Sequence, residues 1–230
     1  MLNVNNLSVE YPDGKRAVDN VSFRLALNES VALIGANGAG KTTLLLALVG
    51  VLSAKTGEIY IDDLKLGNKT KPEFRARLGF VFQNPDDQLF MPNVYEDAAF
   101  GPRSFGYDEE KTKIYVENAL DQLKISHLSK RSPLKMSGGE KRLAAIATVL
   151  SMQPDFLLFD EPTAYLDPRA RRNLQEVIQR LPQGKIIATH DLNFAAETCS
   201  RALILRDGAV LADGGIEYLK DKSLLESAGL

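Results

Sequence analysis

Residues 35–42 read Gly35-Ala36-Asn37-Gly38-Ala39-Gly40-Lys41-Thr42, after the apolar run Val31-Ala32-Leu33-Ile34 and before a helical stretch starting near Lys41. No other feature restricts the fold as much. A short apolar run bounded by glycine has the character of a strand buried on both faces, and strand, glycine turn, helix opens an α/β unit. The eight residues satisfy GxxxxGK[ST] at every fixed position, in the context that pattern requires. Glycines let the backbone curl until successive amides point at one phosphate group, and the helix N-terminus adds partial positive charge. Lys41 is placed to reach terminal phosphates and the Thr42 hydroxyl to ligate Mg²⁺. Gly35 to Thr42, with Thr43, are therefore the candidate nucleotide-binding residues. A glycine-rich turn with an accidental Lys-Thr is the competing explanation. The loop implies a nucleotide but does not say what is done with it.

A second apolar run, Phe156-Leu157-Leu158-Phe159, ends in Asp160 and Glu161. In a parallel sheet, carboxylates at a strand's C-terminal end lie where ligands bind. Asp160 is then a candidate Mg²⁺ ligand. Glu161, one residue on, is placed to polarise a water for attack on a γ-phosphate. The plainer alternative is two acids ending a strand at the surface.

The rest of the chain fits one α/β domain over residues 1–230, a length sufficient for a full core. Val21, Phe23 and Leu25 alternate with Ser22 and Arg24, and Pro12-Asp13-Gly14 supplies a turn, so the N-terminal part reads as antiparallel strands. Residues 92–136 lack β runs and show helical patterns such as Ile114, Ala119, Leu120 and Leu123. They are expected to form a helical subdomain inserted between 1–91 and 137–230, which make the nucleotide-binding core. Leu174, Val177, Ile178 and Leu181 mark a helix face, and 185–189 and 202–205 read as further strands.

Formal net charge is -2, which gives no reason to expect a nucleic-acid partner. The single cysteine, Cys199, allows no internal disulfide and reads as a small apolar helix residue. Leu44 to Leu52 is the most apolar stretch and is too short to cross a bilayer. The first residues lack the basic start and apolar run of a secretion signal. A cytosolic protein is expected, with any membrane role acting through a partner.

Met136-Ser137-Gly138-Gly139-Glu140-Lys141-Arg142 adds something most phosphate-loop proteins lack. Ser137 and Glu140 make an S-x-x-E capping box, followed by the apolar face Leu143, Ile146, Ala147 and Leu150. A cap explains Ser and Glu, but not two consecutive glycines, which would let a ligand approach the backbone. The segment resembles the LSGGQ signature of ABC ATPases, departing at Met136 and Glu140. That resemblance implies a phosphate-loop NTPase with a mostly parallel core sheet, an N-terminal antiparallel β subdomain and an inserted helical subdomain. It further implies that Ser137, Gly138, Gly139 and Glu140 face the ATP of a second subunit. Tyr11 resembles the aromatic that stacks on adenine. Gln83 resembles the glutamine that touches Mg²⁺ and the attacking water. Asp167, in Ala164-Tyr165-Leu166-Asp167, resembles the loop that crosses the dimer interface, although Asp167 before Pro168 is also a helix N-cap. His190 resembles the histidine that contacts the γ-phosphate, so Glu161, His190, Lys41 and Gln83 are the catalytic candidates. His127 is expected to be an exposed residue without such a role.

The run Val81 to Phe90, then Val94 to Asp97 and Phe100-Gly101-Pro102, resembles the ATPases of energy-coupling-factor importers. Those bring in cobalt or nickel ions or vitamins such as biotin. Many carry a further C-terminal extension, whereas the last helix expected here ends close to Leu230. The resemblance implies ATP and Mg²⁺ as cofactors, a second copy or a related ATPase as partner, and transmembrane coupling and substrate-binding subunits. It places the chain peripherally on the cytoplasmic membrane face. Asp86, Asp87, Glu96 and Asp97 form an acidic cluster suited to a basic residue on a membrane subunit, or simply a solvated acidic loop. Two other readings stay open: a non-transport ABC ATPase, which usually shows two cassettes or a long coiled coil, and a small-molecule kinase.

Overall fold

Two sheets take up the apolar alternation. In the computed structural model, which describes residues 1–230, the chain begins with β1 (Leu2–Glu10), β2 (Arg16–Leu25), β3 (Ser30–Ile34), α1 (Lys41–Leu48), β4 (Thr56–Ile61), β5 (Leu64–Lys65), α2 (Lys71–Arg77) and β6 (Leu78–Val81). Then come α3 (Val94–Ser104), α4 (Glu109–Gln122) and α5 (Gly138–Leu150), with short 3-10 turns between them. The α/β alternation resumes with β7 (Phe156–Asp160), α6 (Pro168–Arg180), β8 (Gly184–Ala188), α7 (Leu192–Thr198), β9 (Arg201–Arg206), β10 (Ala209–Gly215) and α8 (Lys222–Ser227).

The smaller sheet is antiparallel, in the order β2-β1-β4-β5. Val21, Phe23 and Leu25 are buried and Ser22 and Arg24 exposed, as the alternation predicts. The larger sheet has the order β10-β9-β3-β8-β7-β6, parallel except for β10, which runs antiparallel to β9.

Successive residues of a strand point to opposite faces, so the larger sheet separates two cores. Ala32, Ile34, Leu157, Phe159 and Ile187 face a core completed by α3 to α7. Val31, Leu33, Phe156, Leu158 and Ile186 face the other, completed by α1 and the smaller sheet. Both faces are covered, which is why these strands are uninterrupted apolar runs.

Within α4 the buried face is Thr112, Val116, Ala119 and Leu120, followed by Leu123 just past the helix. Ile114 does not belong to it and is 48% exposed. Val116 and Leu120 are four residues apart and so share a face, whereas Ile114 precedes Val116 by two residues and points elsewhere. Cys199 is buried just beyond the end of α7, and burial pushes its thiol up to about 12.

Candidate active site

The four strands β3, β8, β7 and β6 are neighbours. Each ends, at the same edge, in a residue singled out above: Gly35 after β3, His190 after β8, Asp160 and Glu161 at β7, and Gln83 after β6. Parallel pairing puts all four C-terminal ends together, where α/β sheets bind ligands. They open on a cavity of about 420 Å³ lined by Tyr11, Lys15, Ala17, Asn37, Gly38, Gly40, Lys41, Thr42, Thr43, Gln83, Asp160, Glu161 and His190.

Gly40 has φ 100, the left-handed region, and a Cβ there would lie 2.3 Å from the carbonyl oxygen of Ala17. Only glycine satisfies both constraints. The Lys41 ammonium curls back over its own loop, donating to the carbonyls of Gly35 at 2.7 Å and Ala36 at 3.2 Å. Burial lowers its pKa, opposed by the charges of Glu161 and Asp160. Gly35, Ala36 and Ala39 do not line the cavity. Ala39 is buried, and Ala36 and Ala39 line an adjoining cavity beside Gly229. Gly35 and Ala36 shape the loop instead, their carbonyls receiving the Lys41 ammonium.

Thr42 Oγ1 donates to Asp160 Oδ2 at 2.9 Å, while Asp160 Oδ1 is buried without any partner. Burial raises the Asp160 pKa, and the Thr42 hydrogen bond works against that. An orphaned carboxylate oxygen beside a hydroxyl and the Gln83 side chain is an all-oxygen donor set of the kind Mg²⁺ takes. The residues fit that ion. No three His, Cys, Asp or Glu side chains gather to hold a metal by themselves, so further ligands would have to come from a bound phosphate or water.

Glu161 is 8% exposed and has φ 44, with its amide donating to the carbonyl of Ala188 at 2.8 Å. Its Oε2 meets Nδ1 of His190 at 2.8 Å and the His190 amide at 3.3 Å. His190 is followed by Asp191, which caps α7 through the Phe194 amide and pairs with Arg171 of α6. Tyr11 reaches the cavity wall with its hydroxyl 2.8 Å from Thr43 Oγ1. Its hydrogen bond to the helix opening fixes the ring at the cavity mouth.

Ser137, Gly138, Gly139, Glu140 and Asp167 lie outside this cavity. Ser137 caps α5 and the capping box is complete: the Ser137 amide donates to Glu140 Oε2 at 2.8 Å, and the Glu140 amide to Ser137 Oγ at 3.4 Å. The Ser137 amide and the Ser137 hydroxyl, which also donates to Glu140 Oε2 at 2.9 Å, hold the Glu140 carboxyl below the usual carboxylate range. The two glycines differ. A Cβ on Gly139 would meet Ala170 Cβ of α6 at 3.0 Å, whereas one on Gly138 would meet nothing closer than Leu166 Cδ2 at 4.0 Å. Asp167 is the N-cap of α6, accepting from the amides of Arg169 and Ala170.

The acidic stretch is not the free cluster expected from sequence. Asp97 is 4% exposed, and its Oδ1 accepts from the amides of Phe90 and Met91, both at 2.9 Å. Glu96 pairs with Arg103 and Asp86 with Lys141, each at 2.6 Å. Asp87, like Asp97, has no cation, and it accepts from Asn84 Nδ2. The fold supplies partners from α3 and α5 that are invisible along the chain. Besides Asp86 and Asp87 the region exposes aromatic surface: Phe90 and Phe100 are 63% and 47% exposed and stack edge to face.

Two polar residues bear on the site without a role assigned from sequence: Arg142, which is buried, and Gln88, which is half-buried. Arg142 and Gln88 both bind backbone around Gln83. Both lie in segments that carry the family resemblance, but the contacts joining α5 to the Gln83 loop span some sixty residues of chain.

The family described as "ABC transporter" matches residues 18–164, more than half the chain. The energy-coupling factor transporter ATP-binding protein EcfA of Carboxydothermus hydrogenoformans is 41% identical over 230 residues, 99% of this chain and 85% of that protein. A Geobacter sulfurreducens protein, provisionally named an ABC transporter ATP-binding protein, is 48% identical over 214 residues, 93% of this chain and 86% of its own. Among solved structures, CbiO1 of Clostridium perfringens, part of the ABC transporter complex CbiONQ, gives a TM-score of 0.87 at 33% identity, covering 97% of this chain and 91% of that one. A dimeric ATP-binding cassette, MJ0796, in a post-hydrolysis state with ADP and Pi, gives 0.81 at 26% identity, covering 94% and 99%. With a nucleotide cavity, an acidic strand end and a capped signature helix on one scaffold, the chain belongs to the ABC transporter ATP-binding family and is an ATP hydrolase.

Proposed function

We propose that this chain powers an energy-coupling-factor type importer, working as a dimer whose two ATP sites each need both copies. One observation carries the dimer. The cavity gathers the phosphate loop, Gln83, Asp160, Glu161 and His190, yet the signature glycine Gly138 lies outside it and faces open space. A second copy, closing head to tail, brings its Ser137-Gly138-Gly139 amides to the γ-phosphate side of this cavity. Every catalytic group is present in one chain, which favours a homodimer.

In the closed pair Lys41 leaves the carbonyls of Gly35 and Ala36 for the β- and γ-phosphates. Thr42, Asp160 and Gln83 are the residues that would hold Mg²⁺, which when bound neutralises charge on the phosphate oxygens. With the carboxylate ionised, His190 Nδ1–H donates to Glu161 Oε2, which leaves Oε1 to accept a proton from the attacking water. The water oxygen bonds to the γ-phosphorus as the bond to the β-bridging oxygen breaks, giving ADP and phosphate. His190 Nε2 is the ring nitrogen that Glu161 does not use, and it donates to a γ-phosphate oxygen only when the ring carries both protons. Lys41 and the partner's signature amides stabilise the charge that spreads over the transferring group.

The importer branch is supported by the likeness of residues 81–102 to energy-coupling-factor ATPases and by the EcfA relative. The exposed Phe90–Phe100 pair offers a membrane subunit an apolar contact beside Asp87. No helix of this chain is long and apolar enough to cross a membrane, so attachment at the cytoplasmic face would be through partners. Cobalt, nickel and biotin are the cargo classes the resemblance brings. Co-purification with its membrane partners, then uptake of each cargo into vesicles supplied with ATP, tests this reading. A chain that hydrolyses ATP but captures no multi-spanning protein would favour a non-transport ABC ATPase.

A further inference from the structure

Arg142 is the largest fully buried side chain in the molecule, 1% exposed, on the first turns of α5. Nothing acidic pairs with it. Its two terminal nitrogens donate to the carbonyls of Phe82 and Gln83, both at 2.6 Å, and its Nε has no partner. Burial depresses the guanidinium to about 10, as expected for a desolvated cation without a counter-charge. Two charge-assisted bonds from one planar fork tie the backbone of residues 82 and 83 to α5.

Gln88 holds the peptide just before, through the Phe82 amide. Its Oε1 accepts from the Phe82 amide at 3.1 Å, and its Nε2 donates to the carbonyl of Ala145 and to Thr148 Oγ1, both at 2.8 Å. Asp86 adds an ion pair to Lys141. Four residues of α5, at 141, 142, 145 and 148, thus hold the loop that carries Gln83.

We propose that Arg142 and Gln88 are positioning residues that make the Gln83 loop and α5 one rigid unit, so that Gln83 at this chain's nucleotide and Ser137–Gly139 at the partner's nucleotide move together. Occupation of one site then sets the geometry of the other through a single helix rather than through the whole dimer. The inference rests on the dimer reading above and adds the physical link between its two sites. A two-state element biased by both ligands is what such coupling requires.

The test uses the full chain with Arg142→Met, which keeps bulk and removes the donors, Arg142→Lys, which keeps one charged head without the fork, and Gln88→Met. Each is measured for thermal unfolding, for affinity toward a fluorescent ATP analogue, for kcat and Hill coefficient in ATP, and, in a Glu161→Gln background, for the ATP concentration at which dimers form. Expected are near-normal analogue binding, a Hill coefficient falling toward one, and dimerisation that needs about tenfold more ATP. Arg142→Lys should lie between Arg142→Met and the parent. A change in melting temperature alone, with parental Hill coefficient and dimerisation in Gln88→Met, overturns the proposal even if Arg142→Met does not fold. Should the Glu161→Gln parent itself fail to dimerise with ATP, the dimer reading falls and the coupling with it. A parent that dimerises beside variants that dimerise at the same ATP concentration removes only the role assigned to Arg142 and Gln88.

Discussion

Nδ1 of His190 lies 2.8 Å from Oε2 of Glu161, joining the second residue after β8 to the residue after β7 across adjacent parallel strands. The bond orients a carboxylate that is 8% exposed while the imidazole itself is mostly open to solvent. Glu161→Gln is expected to bind ATP with affinity near that of the parent and to lose about 10²-fold or more in turnover, the range for removing a positioned base. Single-turnover hydrolysis alongside equilibrium binding checks both halves, and a fully active variant would remove Glu161 as the base.

The two signature glycines should behave differently. Gly139→Ala crowds Ala170 at 3.0 Å and should cost about 1 kcal/mol or more of stability. Gly138→Ala has room, and a helical Ala in place of Gly should leave stability unchanged or raise it by roughly 0.5–1 kcal/mol. Its hydrolysis should nonetheless fall at least about tenfold, because the only thing a methyl there can obstruct is the partner's phosphate. Thermal melts and ATPase rates on the same samples decide it; an active Gly138→Ala chain would mean that the signature does not meet nucleotide at this residue.

Glu140→Gln should keep most ATPase activity, since the Glu140 carboxylate is turned back onto the Ser137 amide at 2.8 Å. A loss of two orders of magnitude would assign it a direct role. Because the folded-state pKa is depressed, the stability this carboxylate contributes is full above the unfolded glutamate value of about 4.3. It is lost as pH falls through the lower folded value. The stability gap between parent and Glu140→Gln should therefore close on acidification below about pH 4, measured by denaturant unfolding at each pH.

Tyr11→Phe separates the ring from its hydroxyl. The hydroxyl bonds Thr43 at 2.8 Å, but stacking on adenine needs only the ring. Tyr11→Phe should keep ATP affinity within about threefold, while Tyr11→Ala should lose the roughly 1–3 kcal/mol typical of a base stacked on an aromatic. Equal losses in the two variants would mean that the tie to Thr43, and not the ring, is what binding needs.

Phe90 and Phe100 form an exposed edge-to-face pair at 5.1 Å. Replacing both with Ser should abolish capture of the membrane subunit and leave the ATPase rate of the isolated chain unchanged. Undiminished co-purification and uptake would move the coupling surface elsewhere on the molecule.

The chain by itself determined the sheet, the strand order's functional edge and most of the cavity wall, because those depend on local patterns. A buried parallel strand must be an apolar run, a phosphate loop must carry Gly40 and Lys41, and a helix N-terminus at Ser137 follows from the capping box. Each pattern spans a few residues and is legible without knowing what lies across the fold. The tertiary structure alone decided everything that depends on a distant partner. Asp97 looked like a surface acid and turned inward to cap the Phe90–Met91 turn; Asp86 looked free and found Lys141. Gly138 and Gly139 are neighbours of one kind, and only the approach of α6 separates the packed one from the open one. Arg142 is the plainest case. Nothing along the chain marks Arg142 for burial, and its place against the Gln83 loop follows from packing α5 against the end of β6, a contact across some sixty residues of chain. Local propensity is short in range, and burial is set by the whole fold.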